Sequence, residues 1–320
     1  MALRVLVVGG TGFVGHHVVR ELLAGGHEVT VVSRRPATTA HPPGVLTRTA
    51  DVAASDDLGE LLADQDGLVF AAGADDRSVP PVPAYRYFER GNVEPVRRLT
   101  RAAARAGCTR AVVLGSYFTA LHRAWPVLDL PGRHPYIRSR VEQARVAHEA
   151  AGDKVATTVL ELPFVLGSAP GRTPLLAPVA RWLRSPWPLY APPGGTAVVT
   201  ARTVARAAVR ALEQRAAGPV PVVDENLHWS AFLGRFAQVA GCPRRVHRLP
   251  PAVLRAGAGA VQVLHTVRRR EAGVRPVAMA TLLTRELFLD PAPCRALTGE
   301  PAASVREALT DTLRGCGVPA

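Results

Sequence analysis

Lysine is almost absent from this chain of 320 residues, because Lys154 is the only lysine among 39 basic residues. The arginines that make up the rest give a formal net charge of +13, which by itself suggests a nucleic-acid partner. These arginines are scattered, however, and Arg268 to Arg270 is the only run of three. No helix-turn-helix, zinc-finger or RNA-stacking pattern accompanies them. We therefore expect no specific nucleic-acid binding, and the abundance of Arg, Ala, Gly and Pro indicates the codon bias of a GC-rich genome.

Cysteine is also scarce, with four residues that lie far apart and form no C-x-x-C pair. Such spacing is typical of reduced thiols, and it argues against a disulfide framework or a zinc site. His16 and His17 are adjacent on a predicted helix, but the sequence gives them no carboxylate or cysteine partner. We therefore predict no metal site.

Long hydrophobic runs are missing as well. The most apolar later segment, from Ala252 to Val267, is interrupted by Arg255, Gln262 and His265 and is too short to span a membrane. Met1 leads almost directly into a predicted strand, which leaves no room for a signal peptide. A hydrophobic fraction of 48% and a mean hydropathy of +0.09 fit a globular protein. We expect a cytoplasmic protein without a membrane partner.

The sequence begins with a strand, a glycine-rich turn and a helix in direct succession. Residues 3–8 are apolar and of β type, and residues 13–23 have helical spacing. Between them, Gly9 permits a tight turn, Gly12 lets the backbone approach a pyrophosphate, and Gly15 lets the helix pack closely on the strand. The helix N-terminus adds free N–H groups and a partial positive charge. This order predicts a dinucleotide-binding turn that also includes Thr11, Phe13 and Val14.

Strands and helices then alternate, which is typical of a parallel sheet covered on both faces. Residues 85–106 have helical character, and Pro95 implies a break or a fresh start within them. From Pro163 onward the chain becomes rich in proline and glycine. We predict an α/β fold, a Rossmann-type doubly wound parallel sheet with a smaller, mostly helical substrate-binding lobe. The predicted dinucleotide-binding domain covers 1–162 and is completed by 197–224, whereas the lobe comprises 163–196 and 225–320.

Several short motifs support this fold: GGTGFVG at 9–15, Asp51-Val52, AAG at 71–73, Ser116, YIRSR at 136–140, and PFVLG at 163–167. Together with the strand and helix at 197–212, these motifs follow one another in a typical order. In this the chain resembles the extended short-chain dehydrogenase/reductase family, and within it the branch of NAD-dependent epimerases and dehydratases. The resemblance covers nearly the whole chain. It implies that Asp51 and Val52 contact the adenine of the cofactor. It also implies that two segments line the cofactor's ribose and nicotinamide: Ala71, Ala72 and Gly73, and Pro163, Phe164 and Val165.

The end of the second predicted strand indicates which cofactor is bound. An acidic side chain there would bind the ribose hydroxyls and repel a 2′-phosphate, but this chain has Ser33, Arg34 and Arg35. A hydroxyl and two guanidinium groups can hold a phosphate by charge-assisted hydrogen bonds. The alternative is that these arginines belong to an ordinary solvated loop. We expect NADP(H) to be preferred over NAD(H).

The resemblance also implies a catalytic Ser, a Tyr, and a Lys four residues after the Tyr. The matching positions are Ser116, Tyr136 and Arg140, so that Tyr-x-x-x-Arg replaces Tyr-x-x-x-Lys. Arginine keeps the positive charge but cannot give up a proton. Lys154 lies outside the motif beside the next predicted strand. Either a modified reductase mechanism operates or redox chemistry has been lost, unless Tyr136 and Arg140 are ordinary helix-surface residues.

Two neighbours of these motifs bear on the chemistry. His134 is close to Tyr136 in sequence and either assists proton transfer or is a turn histidine next to Pro135. Family members often have arginine before the proline at 163, where this chain has Leu162, and this weakens the expectation of a sugar-nucleotide substrate.

The sequence thus predicts an NADPH-dependent reductase or dehydrogenase acting on a carbonyl or secondary alcohol of a small molecule, in a role compatible with specialised metabolism. Two alternatives stay open. One is a redox-neutral epimerase, dehydratase or cyclase, and the other is a protein that senses nicotinamide cofactors without turnover. The sequence allows a homodimer.

Overall fold

The computed structural model describes residues 1–34, 42–55 and 58–317. In chain order its strands are β1 (Arg4–Val8), β2 (Glu28–Ser33), β3 (Val45–Thr49), β4 (Gly67–Phe70), β5 (Arg110–Leu114), β6 (Ala156–Glu161), β7 (Phe164–Leu166), β8 (Leu189–Ala191), β9 (Gly195–Thr200), β10 (Gly218–Pro221), β11 (Glu225–His228), β12 (Val246–Arg248) and β13 (Glu286–Leu287).

The helices, again in chain order, are α1 (Phe13–Ala24), α2 (Leu58–Leu62), α3 (Ala84–Phe88), α4 (Glu94–Ala106), α5 (Phe118–Ala124), α6 (Leu130–Arg133), α7 (Pro135–Ala151), α8 (Ala177–Arg184), α9 (Ala201–Glu213), α10 (Trp229–Val239), α11 (Pro251–Val267), α12 (Pro276–Leu282), α13 (Ala292–Thr298) and α14 (Val305–Gly315). A π-helical turn, Glu89–Val93, joins α3 to α4. Pro95 lies in the first turn of α4, directly after the π-helical turn. The predicted interruption therefore takes the form of a π-helical turn within continuous helical backbone.

The largest sheet has the strand order β3-β2-β1-β4-β5-β6-β10, and each neighbouring pair is parallel. Its side chains alternate between two apolar cores. Val5 and Val7 of β1 face a core that they share with α1 and α9. Leu6 and Val8 face the opposite core, which is shared with α2, α4 and α7. This arrangement confirms the predicted doubly wound parallel sheet.

The remaining strands build a second layer. β9 pairs with β7, β11 and β13, and β8 pairs with β12. A separate core lies here, with Phe232 and Phe236 of α10 and Leu309 and Leu313 of α14 fully buried or nearly so. β10 and α9 lie on the large sheet, whereas β9 belongs to the second one. The predicted domain boundaries stay a prediction. No helix in the described part of the chain is long and apolar enough to cross a membrane.

Candidate functional site

The glycine-rich turn between β1 and α1 is closed by contacts that only glycine permits. Gly9 has φ +86°, and a Cβ at this position would lie 2.9 Å from the backbone of Ala71 at the end of β4. Gly12 donates its N–H to the carbonyl oxygen of Gly9 at 2.9 Å. A Cβ on Gly15 would lie 2.2 Å from that same oxygen, so the first turn of α1 packs directly on the strand end. The turn therefore presents bare backbone at a helix N-terminus, which fits a dinucleotide phosphate.

Other residues predicted for this turn connect it to the second layer. The guanidinium of Arg172 donates from Nε to the carbonyl oxygen of Thr11 at 3.0 Å. The ring of Phe13 lies close to Gly167, because a Cβ on Gly167 would lie 3.6 Å from that ring. The Phe13 ring thus lies between the turn and the segment that follows β7, whereas Val14 packs against the core shared by β1, α1 and α9.

The predicted adenosine positions lie at the carboxyl ends of β2 and β3, the edge at which ligands bind in doubly wound sheets. Ser33 ends β2 and Arg34 follows it in an exposed position, whereas Arg35 lies outside the described residues. The carboxylate of Asp51 accepts a hydrogen bond from the N–H of Ala53 at 3.0 Å and is exposed. Val52 is buried in the core beside α2.

The three predicted catalytic side chains come together between β5 and α7. Ser116 follows β5, whereas Tyr136 and Arg140 lie one helical turn apart on α7, and all three are at most 9% exposed. The guanidinium carbon of Arg140 is 5.8 Å from the centre of the Tyr136 ring. Arg140 donates from Nη2 to the carbonyl oxygen of Leu114 at 2.8 Å, which fixes the guanidinium against the end of β5. Its Nε is buried without a hydrogen-bond partner.

Arg140 also connects this cluster to the cofactor side. Its Nη1 atom lies 3.6 Å from the position that a Cβ on Gly73 would take. Ala71 donates its N–H to the carbonyl oxygen of Val8 at 2.8 Å, so that Ala71, Ala72 and Gly73 run past the glycine-rich turn. The segment from Ala71 to Gly73 therefore contacts the glycine-rich turn at one end and the Arg140 guanidinium at the other.

The pKa of the Tyr136 phenol is raised above its ordinary value, and burial is the largest cause. The Arg140 charge and the nearby Ser116 hydroxyl both lower this pKa, whereas the Asp76 carboxylate raises it. Burial has the larger effect on this pKa, because moving a phenolate out of water costs more free energy than its attraction to one neighbouring guanidinium recovers. Tyr136 is therefore a neutral phenol at neutral pH and can act as a proton donor.

A segment from the far end of the chain covers Tyr136. Gly273 accepts a hydrogen bond from the Tyr136 N–H at 2.9 Å, and a Cβ on Gly273 would lie 2.4 Å from the ring of Phe88. Phe88 and Phe118 approach the Tyr136 ring edge-on, with centroids 5.7 and 6.4 Å away. These contacts bury Tyr136 and are the physical source of its raised pKa.

His134 is buried just before α7 and contacts the segment that covers Tyr136. It precedes α7, is 1% exposed, and accepts a hydrogen bond at Nδ1 from the N–H of Arg275 at 3.0 Å. Burial first, and then the charges of Arg275 and Arg133, lower its pKa to about 4. His134 thus stays neutral at neutral pH, and its contact holds the covering segment on α7, as a turn histidine would.

The segment after β6 connects the core of the large sheet to the second layer. Leu162 is buried in the main core, and its carbonyl oxygen accepts from the N–H of Tyr117 at 2.9 Å. Pro163 follows, and Phe164 and Val165 open β7. The ring of Phe164 packs edge-on against Trp229 at a centroid distance of 5.6 Å. This segment runs directly from the carboxyl end of β6 to the second layer.

Two residues near the site were missed in the sequence. The side chain of Asn92, fully buried in the π-helical turn, accepts from the Ala74 N–H at 2.8 Å and donates to Ser139 Oγ at 3.1 Å. It therefore ties the loop after β4 to α7. Asp76 is partly buried in that loop, and burial first and then Asp75 raise its pKa. A pair of acids just after AAG could have indicated Asp76, whereas nothing local indicates Asn92.

These features define an α/β protein that binds a nicotinamide cofactor through a Rossmann-type sheet. Residues 9–165 match the sequence profile of a family described as NAD(P)H-binding. This match agrees with the predicted dinucleotide-binding domain, and the solved structures described next share the fold that the sequence predicts.

Curated relatives are similar at low identity. A 3-diazoavenalumate denitrifying reductase from a Streptomyces species is 29% identical over 268 residues, which cover 75% of this chain and 83% of that protein. A 3-beta-hydroxysteroid dehydrogenase from Mycolicibacterium neoaurum is 34% identical over 116 residues, but the match covers only 35% of this chain and 32% of the dehydrogenase.

Solved structures share the fold over nearly the full length. The protein gox2253 has a TM-score of 0.77 at 21% identity, with 99% of both chains covered. MoeE5 in complex with UDP-glucose and NAD has a TM-score of 0.69 at 18% identity and 98% coverage of both chains. The human epimerase family protein SDR39U1 with NADPH has a TM-score of 0.69 at 21% identity, with 98% of this chain and 99% of that chain covered. Neighbours with this fold therefore bind NAD in one case and NADPH in another.

Proposed function

We propose that this protein is an NADPH-dependent reductase or dehydrogenase that acts on a carbonyl or secondary alcohol of a small molecule. The observation that carries the proposal is the meeting of Ser116, Tyr136 and Arg140 beside the segment that also contacts the glycine-rich turn. A neutral, buried phenol suits the reductive direction, in which a substrate oxygen must receive a proton. The names of two curated relatives, a reductase and a dehydrogenase, agree with this class of reaction.

Each side chain has a separate task in this proposal. When bound, the reduced nicotinamide supplies the hydride. Tyr136 gives its phenolic proton to the substrate oxygen, and Ser116 donates a hydrogen bond that orients that oxygen. Backbone and side chains of the following residues hold the cofactor: Gly9, Thr11, Gly12, Phe13, Val14, Gly15, Ser33, Arg34, Asp51, Val52, Ala71, Ala72, Gly73, Tyr136, Arg140, Pro163, Phe164 and Val165. Arg35, outside the described residues, completes this proposed set.

Arg140 replaces the lysine that the family resemblance leads one to expect. Its Nη2 is already engaged by the Leu114 carbonyl, and its buried Nε lacks a partner. A buried donor without a partner is costly, so a bound ribose hydroxyl is the natural acceptor for the guanidinium. In our proposal Arg140 holds the ribose and the Tyr136 ring in place, and it takes no part in moving the proton because a guanidinium does not deprotonate.

The preference for NADP(H) rests on Arg34 at the end of β2, with Arg35 beside it in sequence. An exposed guanidinium at this strand end can form a charge-assisted hydrogen bond with a 2′-phosphate. The proposal also keeps the cytoplasmic location, the small-molecule substrate and the allowance for a homodimer that the sequence predicts.

Isotope tracing from NADPH deuterated at C4 tests the reaction class, with 3-diazoavenalumate as a first probe. A 3β-hydroxysteroid deuterated at C3 tests the reverse direction with oxidised cofactor, and a panel of small ketones and aldehydes follows. Net transfer of deuterium between cofactor and product supports the reductase. Conversion of a probe with the label kept in the cofactor would favour a redox-neutral reaction. Intact cofactor binding without turnover of any probe would favour a sensor.

A further inference from the structure

Helix α11 is unusual for a surface helix, because Gln262 and His265 face the protein while several large apolar side chains face outward. Gln262 accepts a hydrogen bond from the Val277 N–H of α12 at 3.3 Å, and the Nδ1 atom of His265 is buried. None of its residues is buried, and its exposed side chains are mostly apolar, with Arg255 and Thr266 as the polar ones. The most exposed are Val253 (57%), Val261 (45%), Val263 (64%), Leu264 (45%) and Val267 (75%).

The apolar face continues beyond the helix. Val82 donates its N–H to the carbonyl oxygen of Arg269 at 3.2 Å, which places it next to the C-terminal end of α11, and it is 59% exposed. Val277 of α12 is 39% exposed. We call Val82, Val277 and the five exposed residues of α11 the apolar patch. A grouping of exposed apolar side chains on neighbouring elements is typical of an interaction surface.

Charge along the chain segment that contains α11 is of one sign. Between Glu225 and Glu271 the chain contains eight arginines and no acidic residue. Arg255 on α11 and Arg268 at its C-terminal end are exposed, and within the described residues neither forms an ion pair. An exposed apolar surface bordered by unpaired arginines is complementary to a layer of anionic headgroups over acyl chains.

We propose that α11 is a peripheral docking helix for an anionic lipid bilayer. The valines and Leu264 enter the boundary between headgroups and acyl chains, and Arg255 and Arg268 bind lipid phosphates. A second copy of this chain is a poorer occupant, since a two-fold contact through α11 would bring two acid-free, arginine-rich segments together. This proposal departs from the expectation of no membrane partner, which stays a prediction, and it is independent of the proposed reaction.

Docking through α11 would also orient the catalytic site. The chain leaves α11 and runs directly into the segment around Gly273 that covers Tyr136. Arg270 forms an isolated antiparallel β-bridge with Pro81, and Glu271 donates its N–H to the carbonyl oxygen of Pro80. The stretch between α11 and Gly273 therefore lies against the loop after β4. The cover of the site is therefore next to the proposed lipid-facing surface.

Co-sedimentation of the full chain with vesicles tests the proposal. We expect binding to vesicles of equal phosphatidylglycerol and phosphatidylcholine, and much weaker binding to phosphatidylcholine alone. The double variant Val263→Asp/Val267→Asp should bind at least about tenfold more weakly, because it places two carboxylates against the anionic surface. Arg255→Gln/Arg268→Gln should weaken binding by about fivefold per residue and reduce its salt sensitivity.

Matched controls carry the same chemistry elsewhere on the surface. Val127 is 89% exposed outside the apolar patch, so Val127→Asp should leave vesicle binding unchanged. Arg101 and Arg105 are exposed on α4, so Arg101→Gln/Arg105→Gln controls for net charge. Both substituted valines are exposed, and circular dichroism of Val263→Asp/Val267→Asp should match that of the wild type.

Failure of the wild-type chain to bind the anionic vesicles would overturn the proposal, as would equal binding by Val263→Asp/Val267→Asp. If light scattering instead finds an oligomer that this variant dissociates, without vesicle binding by the wild type, a second copy covers the helix and the lipid proposal is wrong.

Discussion

The two halves of the candidate site are built in opposite ways. The glycine-rich turn is local, because Gly9, Gly12 and Gly15 contact one another within a single strand, turn and helix. The surroundings of Tyr136 come from distant parts of the chain, with Phe88 on one side and Gly273 on the other. The glycine-rich turn presents backbone N–H groups that suit a phosphate, whereas the surroundings of Tyr136 keep its phenol protonated.

This difference separates binding from chemistry. Changes in the turn should weaken cofactor binding without altering the Tyr136 phenol, since Phe88, Phe118 and Gly273 bury that phenol. Changes around Tyr136 should alter turnover and its pH dependence while cofactor binding persists. The predictions that follow test this separation from the largest expected effect to the smallest.

Tyr136→Phe should lower kcat by about 10²–10⁴-fold, the usual contribution of a positioned proton donor. Cofactor affinity should change little, because the ring and its packing against Phe88 are kept. Steady-state kinetics and a separate cofactor titration measure the two quantities. Tyr87→Phe is the control, since Tyr87 is 47% exposed and outside the catalytic cluster. Full turnover by Tyr136→Phe would show that Tyr136 is not the acid and would favour the redox-neutral alternative.

Gly15→Ala should weaken cofactor binding by roughly 10- to 100-fold, because overpacking of a tight contact costs about 1–3 kcal/mol. The added Cβ would lie 2.2 Å from the Gly9 carbonyl oxygen and would push α1 away from the turn. Calorimetric titration with NADPH measures the change. Gly257→Ala on α11 is the matched control for Gly15→Ala, because a Cβ at this position would meet nothing within 4 Å. Equal affinity in both variants would remove the glycine-rich turn as the phosphate site.

Arg34→Ala should weaken NADPH binding by about tenfold and leave NADH binding nearly unchanged, since one charge-assisted contact to the 2′-phosphate contributes at least about 1.5 kcal/mol. Titration of both cofactors against wild type and variant measures the preference. Wild-type protein that binds NADPH and NADH equally well would contradict the proposed selectivity.

Asp76→Asn should stabilise the protein at neutral pH relative to acidic pH. The folded state raises the pKa of Asp76, so its contribution to stability is largest below the ordinary aspartate pKa and is lost as the pH rises through the folded value. Near pH 3 the variant should match the wild type, and near pH 7 its Tm should be higher by about 1–3 °C.

Asp75→Asn provides the matched control for this effect. Asp75 is exposed and forms an ion pair with Arg77 beside it, so its loss should give no gain at neutral pH. Thermal unfolding of both variants at pH 3 and pH 7 makes the comparison, and identical behaviour of the two variants would contradict the assigned burial of Asp76.

The local half of the molecule was predictable from sequence because its signals are local. The order of strand, glycines and helix follows from backbone geometry within a few residues. The alternation of strands and helices likewise predicted the doubly wound sheet. The sequence also named Ser116, Tyr136 and Arg140, which the structure brings together, although their catalytic roles stay predictions.

The rest depends on contacts between remote segments. Nothing near Gly273 indicates that it covers Tyr136, and Asn92 gains its meaning only when the loop after β4 meets α7. The pairing of β9 with β7 is equally distant in sequence. For α11, the sequence showed an interrupted apolar segment from Ala252 to Val267 but not that its large apolar side chains face outward.

Direct titration of Tyr136 tests the central claim, that burial keeps this tyrosine a neutral phenol despite the adjacent Arg140. The chain labelled with ¹³C at tyrosine Cζ gives one resonance per tyrosine, and Tyr136→Phe assigns the one in question. We predict that the Tyr136 resonance in the cofactor-free protein titrates above the ordinary tyrosine pKa of about 10. A resonance that titrates below that ordinary value would show that the Arg140 charge outweighs burial, and would contradict this account of the proton donor.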